Sequence, residues 1–159
     1  MEVDVDEGAW FNNPGNRRPS RAQSAAKQHE IRRQIQKMIA NRLIQPSQAK
    51  AWSQVLLVRK PDSRWRFCVD YRNINAITKL TSGHPLPNIK EMLHRLGEHK
   101  ARYYATIDLT SGYFQTPVAE TARMFTAFIT FMGIFEFLRV PMGMKGAAPY
   151  FQQFIAVTV

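Results

Sequence analysis

Tyr103-Tyr104-Ala105-Thr106-Ile107-Asp108-Leu109-Thr110-Ser111-Gly112-Tyr113-Phe114-Gln115 sets an apolar, aromatic and β-branched run against a single carboxylate, Asp108, and follows both with a Ser-Gly turn signal. Such a run reads as a buried strand that ends in a turn. An acid closing a buried strand is costly unless it is hydrogen-bonded, paired or bound to a cation. Two readings follow. Either the carboxylate accepts hydrogen bonds from the next turn, or it holds a divalent cation, as Mg²⁺ is held by one or two carboxylates together with substrate phosphates. The stretch alone leaves both open.

On its C-terminal side, Met124–Phe131 and Ile134–Val140 flank Met132-Gly133 and predict a β-hairpin. Pro141-Met142-Gly143 breaks the sheet, and a last helix begins near Ala147 with Phe151, Phe154 and Ile155 on its inner face. That helix reaches Val159 still apolar and without a C-cap, so the sequence reads as cut short. On its N-terminal side, Asn88 caps a short helix whose Ile89, Met92, Leu93 and Leu96 form one face and which Gly97 stops. Thr78 to Pro87 reads as a loop, because Gly83-His84-Pro85-Leu86-Pro87 forbids regular structure.

Further out, Gln54–Lys60 and Trp65–Asp70 read as two strands joined by the turn Pro61-Asp62-Ser63-Arg64. Arg59, Lys60, Arg64 and Arg66 surround the tip of this hairpin, a composition suited to gripping a triphosphate or simply to solubility. Asp70, Tyr71, Arg72 and Asn75 follow as a site or as a hydrogen-bonded corner. A helix is expected from about Arg21 to Asn41, with Ser20 as N-cap, Ile31, Ile35, Met38 and Ile39 as its apolar stripe, and Arg32, Arg33 and Lys37 on the solvent side. Residues 1–19 read as a disordered leader or linker.

At 159 residues, 45% of them hydrophobic, the chain is globular and of the size of one domain or part of one. No apolar run has the length of a membrane span, and no membrane partner is expected. The lone Cys68 cannot form an internal disulfide, which fits a reducing, intracellular setting. His29, His84, His94 and His99 have no ligand spacing with Cys68, so zinc is not expected. The net charge of +10 is concentrated in residues 8–60, which hold eleven Lys and Arg against Glu30 alone. That imbalance points to a polyanionic partner, with nucleic acid leading.

Trp65-Arg66-Phe67-Cys68-Val69-Asp70-Tyr71-Arg72-Asn73-Ile74-Asn75, His84-Pro85-Leu86-Pro87 and Ile107-Asp108-Leu109-Thr110-Ser111-Gly112-Tyr113-Phe114-Gln115 together resemble the reverse transcriptase of gypsy-class LTR retrotransposons. Thr126-Ala127-Phe128, Phe135-Glu136-Phe137, Val140-Pro141-Met142-Gly143, Pro149 and Phe151-Gln152 extend the resemblance, in the same order and spacing. Several strings in one order are far more specific than any single motif.

The resemblance implies an α+β right-hand polymerase: fingers and a partial palm over residues 20–159, an antiparallel sheet with helices packed on one face. It implies that Asp108 is a catalytic, metal-binding aspartate for two Mg²⁺ ions. Arg66 and Lys60 would contact the incoming dNTP from the fingers, Tyr113 would pack under its sugar, and Met142 stands where retroviral relatives carry Gln. Partners implied are an RNA/DNA template-primer and the C-terminal palm, thumb and ribonuclease H segments of a gag-pol polyprotein. The Tyr-x-Asp-Asp strand of the family is missing before Val159, and one aspartate cannot hold two Mg²⁺ ions, so this chain should not polymerise DNA by itself. The rival expectations are a non-catalytic basic nucleic-acid-binding fragment, and a fragment unable to fold alone because it leaves a sheet edge open.

Overall fold

In a computed structural model, which describes residues 1–79, 88–99 and 101–158, the first nineteen residues are folded, against the expectation of a disordered leader. They form strand β1 (Asp4–Val5), helix α1 (Glu7–Asn12) and a 3₁₀ turn over Pro14–Arg17. Asp6 caps α1 by accepting from the Ala9 N–H at 2.9 Å, and Asn13 caps the next turn through Gly15 N–H, with Pro14 in the first turn where no N–H is needed. The fold here is driven by Trp10, which is wholly buried. Burying a side chain of that size outweighs the polar composition that suggested disorder.

Helix α2 (Ala25–Ala40) starts four residues later than expected, with Ser24 and not Ser20 at its N-cap. Before it the chain is held extended: Trp52 Nε1 and Gln54 Nε2 both donate to the Arg18 carbonyl, and Gln54 also reaches that of Pro19. Strand β2 (Ile44–Pro46) leads to the hairpin of β3 (Ser53–Arg59) and β4 (Trp65–Asp70), whose bounds match the sequence pattern to within a residue. Helix α3 (Arg72–Ile77) follows, then β5 (Thr78–Lys79), a short strand paired with β1 where a loop was expected. The rest of that expected loop, with His84-Pro85-Leu86-Pro87, lies outside the described residues.

Helix α4 (Ile89–Glu98) has the predicted N-cap, Asn88, and runs one residue past Gly97. The second hairpin is shorter than the pattern suggested: a 3₁₀ segment, Glu120–Thr126, precedes β6 (Phe128–Thr130), and β7 (Gly133–Phe137) returns. Gly133 makes the reversal at φ +125°, where a side chain would be strained. Helix α5 (Ala147–Thr158) closes the described chain.

The main sheet has the order β2-β7-β6-β3-β4 and is antiparallel except for the β3–β6 pair. Strand alternation decides its faces. The register sets Val55 opposite Val69 and Leu57 opposite Phe67, and all four join a core under α2 with Ile31, Ile35, Phe128, Phe135 and Phe137. A second core, built on Trp10, Tyr71, Ile74, Phe125 and Val140, anchors the N-terminal segment.

The strand expected over Tyr103–Ile107 is not formed: residues 101–109 are non-helical, unpaired and exposed among the described residues. Tyr103 and Ile107 keep 90% and 89% of their surface in contact with solvent. A strand needs a neighbour to take its ladder hydrogen bonds, and the described residues offer this run none.

Candidate functional site

Asp108 lies in this exposed segment, just ahead of a turn in which Gly112 N–H donates to Leu109 O at 3.1 Å. Ser111 takes the left-handed conformation, φ 53°, at the entry to a 3₁₀ turn over Gly112–Gln115. Gly112 is required there by contact as much as by the turn, because a Cβ would sit 2.6 Å from Phe151 Cζ. This close approach brings Tyr113 onto Phe151, with ring centroids 5.0 Å apart. The Tyr113 ring is thus held against α5.

Met142 stands 58% exposed on a turn that is itself fixed. Asn75 Nδ2 donates to Gly143 O at 2.8 Å, and Asn75 Oδ1 accepts from Lys145 N–H at 2.7 Å. Lys145 Nζ then donates to Thr78 O, so α3 and the start of β5 together hold the turn. The hydrogen-bonded corner suggested by Asp70, Tyr71, Arg72 and Asn75 is therefore real. Tyr71 is buried with its hydroxyl on Thr126 O at 3.0 Å, and burial pushes its phenol well above the usual value. Asp70 accepts two bonds from the Arg72 guanidinium, which holds its carboxyl below the usual range against the opposing effect of burial.

Lys60 and Arg66, both near the tip of the first hairpin, part company. Arg66 is exposed, opposite Val58 and therefore on the sheet face away from α2. Lys60 instead lines a groove with Trp65 and α2, its backbone N–H closing the hairpin turn onto Arg64 O. Among the described residues, no hydrogen bond or ion pair joins Asp108 to Lys60, Arg66, Tyr113 or Met142. Nor do any three His, Cys, Asp or Glu side chains converge to hold a metal ion among them. No described helix is long and apolar enough to cross a membrane.

Sequence reasoning missed Asn16, a buried junction. Its Nδ2 donates to Trp10 O, its Oδ1 accepts from Asn73 Nδ2, and its carbonyl accepts from Trp52 N–H. The available signal was the Trp10-Phe11 pair ahead of a capping Asn-Pro-Gly, an apolar anchor in an otherwise polar stretch.

Residues 58–159 match the sequence profile of the family described as reverse transcriptase (RNA-dependent DNA polymerase). The retrovirus-related Pol polyprotein from transposon 412 of Drosophila melanogaster is 37% identical over 134 residues, which are 80% of this chain and 11% of that one. That from transposon gypsy of the same fly is 31% identical over 129 residues, 77% of this chain and 12% of its own. The native crystal structure of prototype foamy virus protease-reverse transcriptase matches with a TM-score of 0.74 at 22% identity, over 92% of this chain and 19% of that one. The foamy viral protein in complex with an RNA/DNA hybrid matches with a TM-score of 0.71 at 18% identity, over 99% and 21%. At such identities the likeness establishes the fold. The chain spans only 11–13% of the Pol polyproteins of the fly transposons 412, opus and 297.

Proposed function

Because the chain belongs to the reverse transcriptase (RNA-dependent DNA polymerase) family, we propose that it supplies the fingers and the first part of the palm of a retrotransposon enzyme. That enzyme copies RNA and DNA templates into DNA from dNTPs on a primer. The observation that carries this reading is the family match over residues 58–159, which takes in the tip and return strand of the first hairpin and the Asp108 stretch.

In this reading Arg66 offers its guanidinium fork to the triphosphate, Tyr113 packs under the sugar, and Met142 lines the nucleotide from its clamped turn. The family generally uses divalent metal ions; Asp108 would contribute one carboxylate toward holding Mg²⁺, which would supply electrostatic stabilisation of the transferring phosphoryl group. The described residues do not hold such an ion by themselves. The other carboxylates come from a Tyr-x-Asp-Asp strand of the parent polyprotein, which also pairs with Tyr103–Ile107 and covers its bare side chains. The exposure of that apolar run supports the assignment, since water is a costly neighbour for it.

Primer extension on an RNA template with dNTPs and Mg²⁺ tests the reading. The chain alone should give no product. Fused to the following palm and thumb segments of a gypsy-class polyprotein it should extend the primer, and Asp108→Ala should abolish the extension. Synthesis by the chain alone, lost in Asp108→Ala, overturns the missing-carboxylate argument, and an active fusion indifferent to Asp108→Ala overturns the assignment of Asp108.

The net charge of +10, concentrated in residues 8–60, favours a second reading of this piece as a non-catalytic nucleic-acid binder. It predicts salt-sensitive, sequence-independent binding that survives Asp108→Ala.

A further inference from the structure

The groove between α2 and the tip of the first hairpin shares Lys60 with the residues first read as dNTP contacts but includes none of Arg66, Tyr113 and Met142, and its charge is one-sided. About 310 Å³ in volume, it is lined by Arg33, Gln34, Lys37, Lys60, Arg64 and Trp65, with Glu30 and Met38 completing the α2 wall. The two acids at its rim are already engaged. Glu30 accepts from Arg33 at 2.7 and 2.9 Å and from Gln34 at 2.6 Å, while Asp62 accepts from Arg64 at 2.7 and 2.9 Å. Lys37 and Lys60 have no acid within ion-pair distance among the described residues. Lys27 and Arg59 stand 5.7 and 5.4 Å from the Trp65 ring and add two more cations at the same place.

We propose that this groove binds the sugar-phosphate backbone of a single-stranded nucleic acid. The proposal rests on the nucleic-acid reading above and adds a location to it. The cations form a line: Lys27 to Lys37 spans about 15 Å of helix at 1.5 Å per residue, and Lys60 and Arg64 carry it onto the hairpin. A line of charge suits a linear polyanion better than a single small anion. The Trp65 ring is occupied by cations, so the groove offers charge and no free stacking platform, and binding should be indifferent to base. An acidic peptide strand is the poorer occupant, because Gln34 Nε2 already reaches the Trp65 carbonyl at 3.4 Å on the edge strand that such a peptide would extend.

The test is fluorescence anisotropy of a labelled twelve-nucleotide oligouridine with the full chain, titrated in salt. Lys37→Glu/Lys60→Glu should weaken binding at least tenfold and reduce the salt slope by about 1.4, since each single-strand phosphate contact contributes about 0.7. Lys37→Gln/Lys60→Gln should fall between. The charge-matched Lys50→Glu/Lys90→Glu, exposed and away from the groove, should stay within threefold of the parent. Equal loss in both double reversals would reduce the effect to net charge and overturn the location while leaving nucleic-acid binding intact. Polyglutamate displacing the oligonucleotide at equal charge concentration would replace the occupant by an acidic protein. No binding by the parent chain would overturn this proposal and the binding reading together.

Discussion

Ile35 of α2 is fully buried, whereas Leu93 of α4, a stripe residue of the same kind, keeps 63% of its surface exposed. Both helices carry one apolar face, and both are capped by a side chain at the N-terminus. The difference is the partner. The stripe of α2 lands on the alternating inner residues of β3, β4 and β7, whereas α4 has no buried residue among the described ones. Amphipathic patterning states that a face will be covered; it does not state that the cover lies in the same stretch of chain. The same contrast separates Val55, paired and buried in β3, from Ile107, equally strand-like and bare.

The sharpest way to break this contrast is truncation on each side. Ile35→Ala should cost about 2–5 kcal/mol by lost burial and a cavity, and Leu93→Ala no more than about 0.5 kcal/mol, both read from denaturant midpoints. A comparable loss for Leu93→Ala would mean that α4 is covered in solution. The next effect is polar. Thr126 Oγ1 accepts from Phe137 N–H at 2.8 Å and donates to Arg123 O at 2.7 Å inside the core. Thr126→Val keeps the volume and orphans both groups, at about 1–3 kcal/mol; Thr110→Val, on the exposed side, should stay within about 0.5 kcal/mol.

The smallest effect is electrostatic. The Arg72 guanidinium depresses the Asp70 carboxyl, so the group's contribution is complete above the unfolded carboxylate range and lost as pH falls through the lower folded value. Arg72 is largely in water, which keeps this contribution small. Asp70→Asn should therefore narrow its stability gap to the parent as pH drops from 6 to 2, followed by thermal unfolding. A gap independent of pH would show that the pair contributes through geometry alone.

What was legible in the sequence follows the same division. The hairpin of β3 and β4 could be read because its turn, Pro61-Asp62-Ser63-Arg64, and its alternation are local signals, and α4 could be bounded from Asn88 for the same reason. The helix start at Ser24 was hidden: Ser20 is an equally good cap by type, and only Trp52 and Gln54, far along the chain, hold Arg18 and Pro19 extended. The ordered N-terminal segment depended on the non-local burial of Trp10. Of the site residues, Met142 sits on a turn whose clamp, Asn75, lies nearly seventy residues away. Around Asp108 the strand expected from the apolar run does not form among the described residues, since a strand is defined by its neighbour.

The most direct test of the central claim, that the Asp108 run is a palm strand awaiting its partner, is amide hydrogen exchange across Tyr103–Leu109. It should be measured in the chain alone and in its fusion to the following palm and thumb segments of a gypsy-class polyprotein. The expected result is exchange near the unprotected rate in the isolated chain, with Val55 and Phe67 strongly protected, and slow exchange at Ile107 and Asp108 in the fusion. Protection of Ile107 in the isolated chain, or its absence in a folded fusion, would contradict the account.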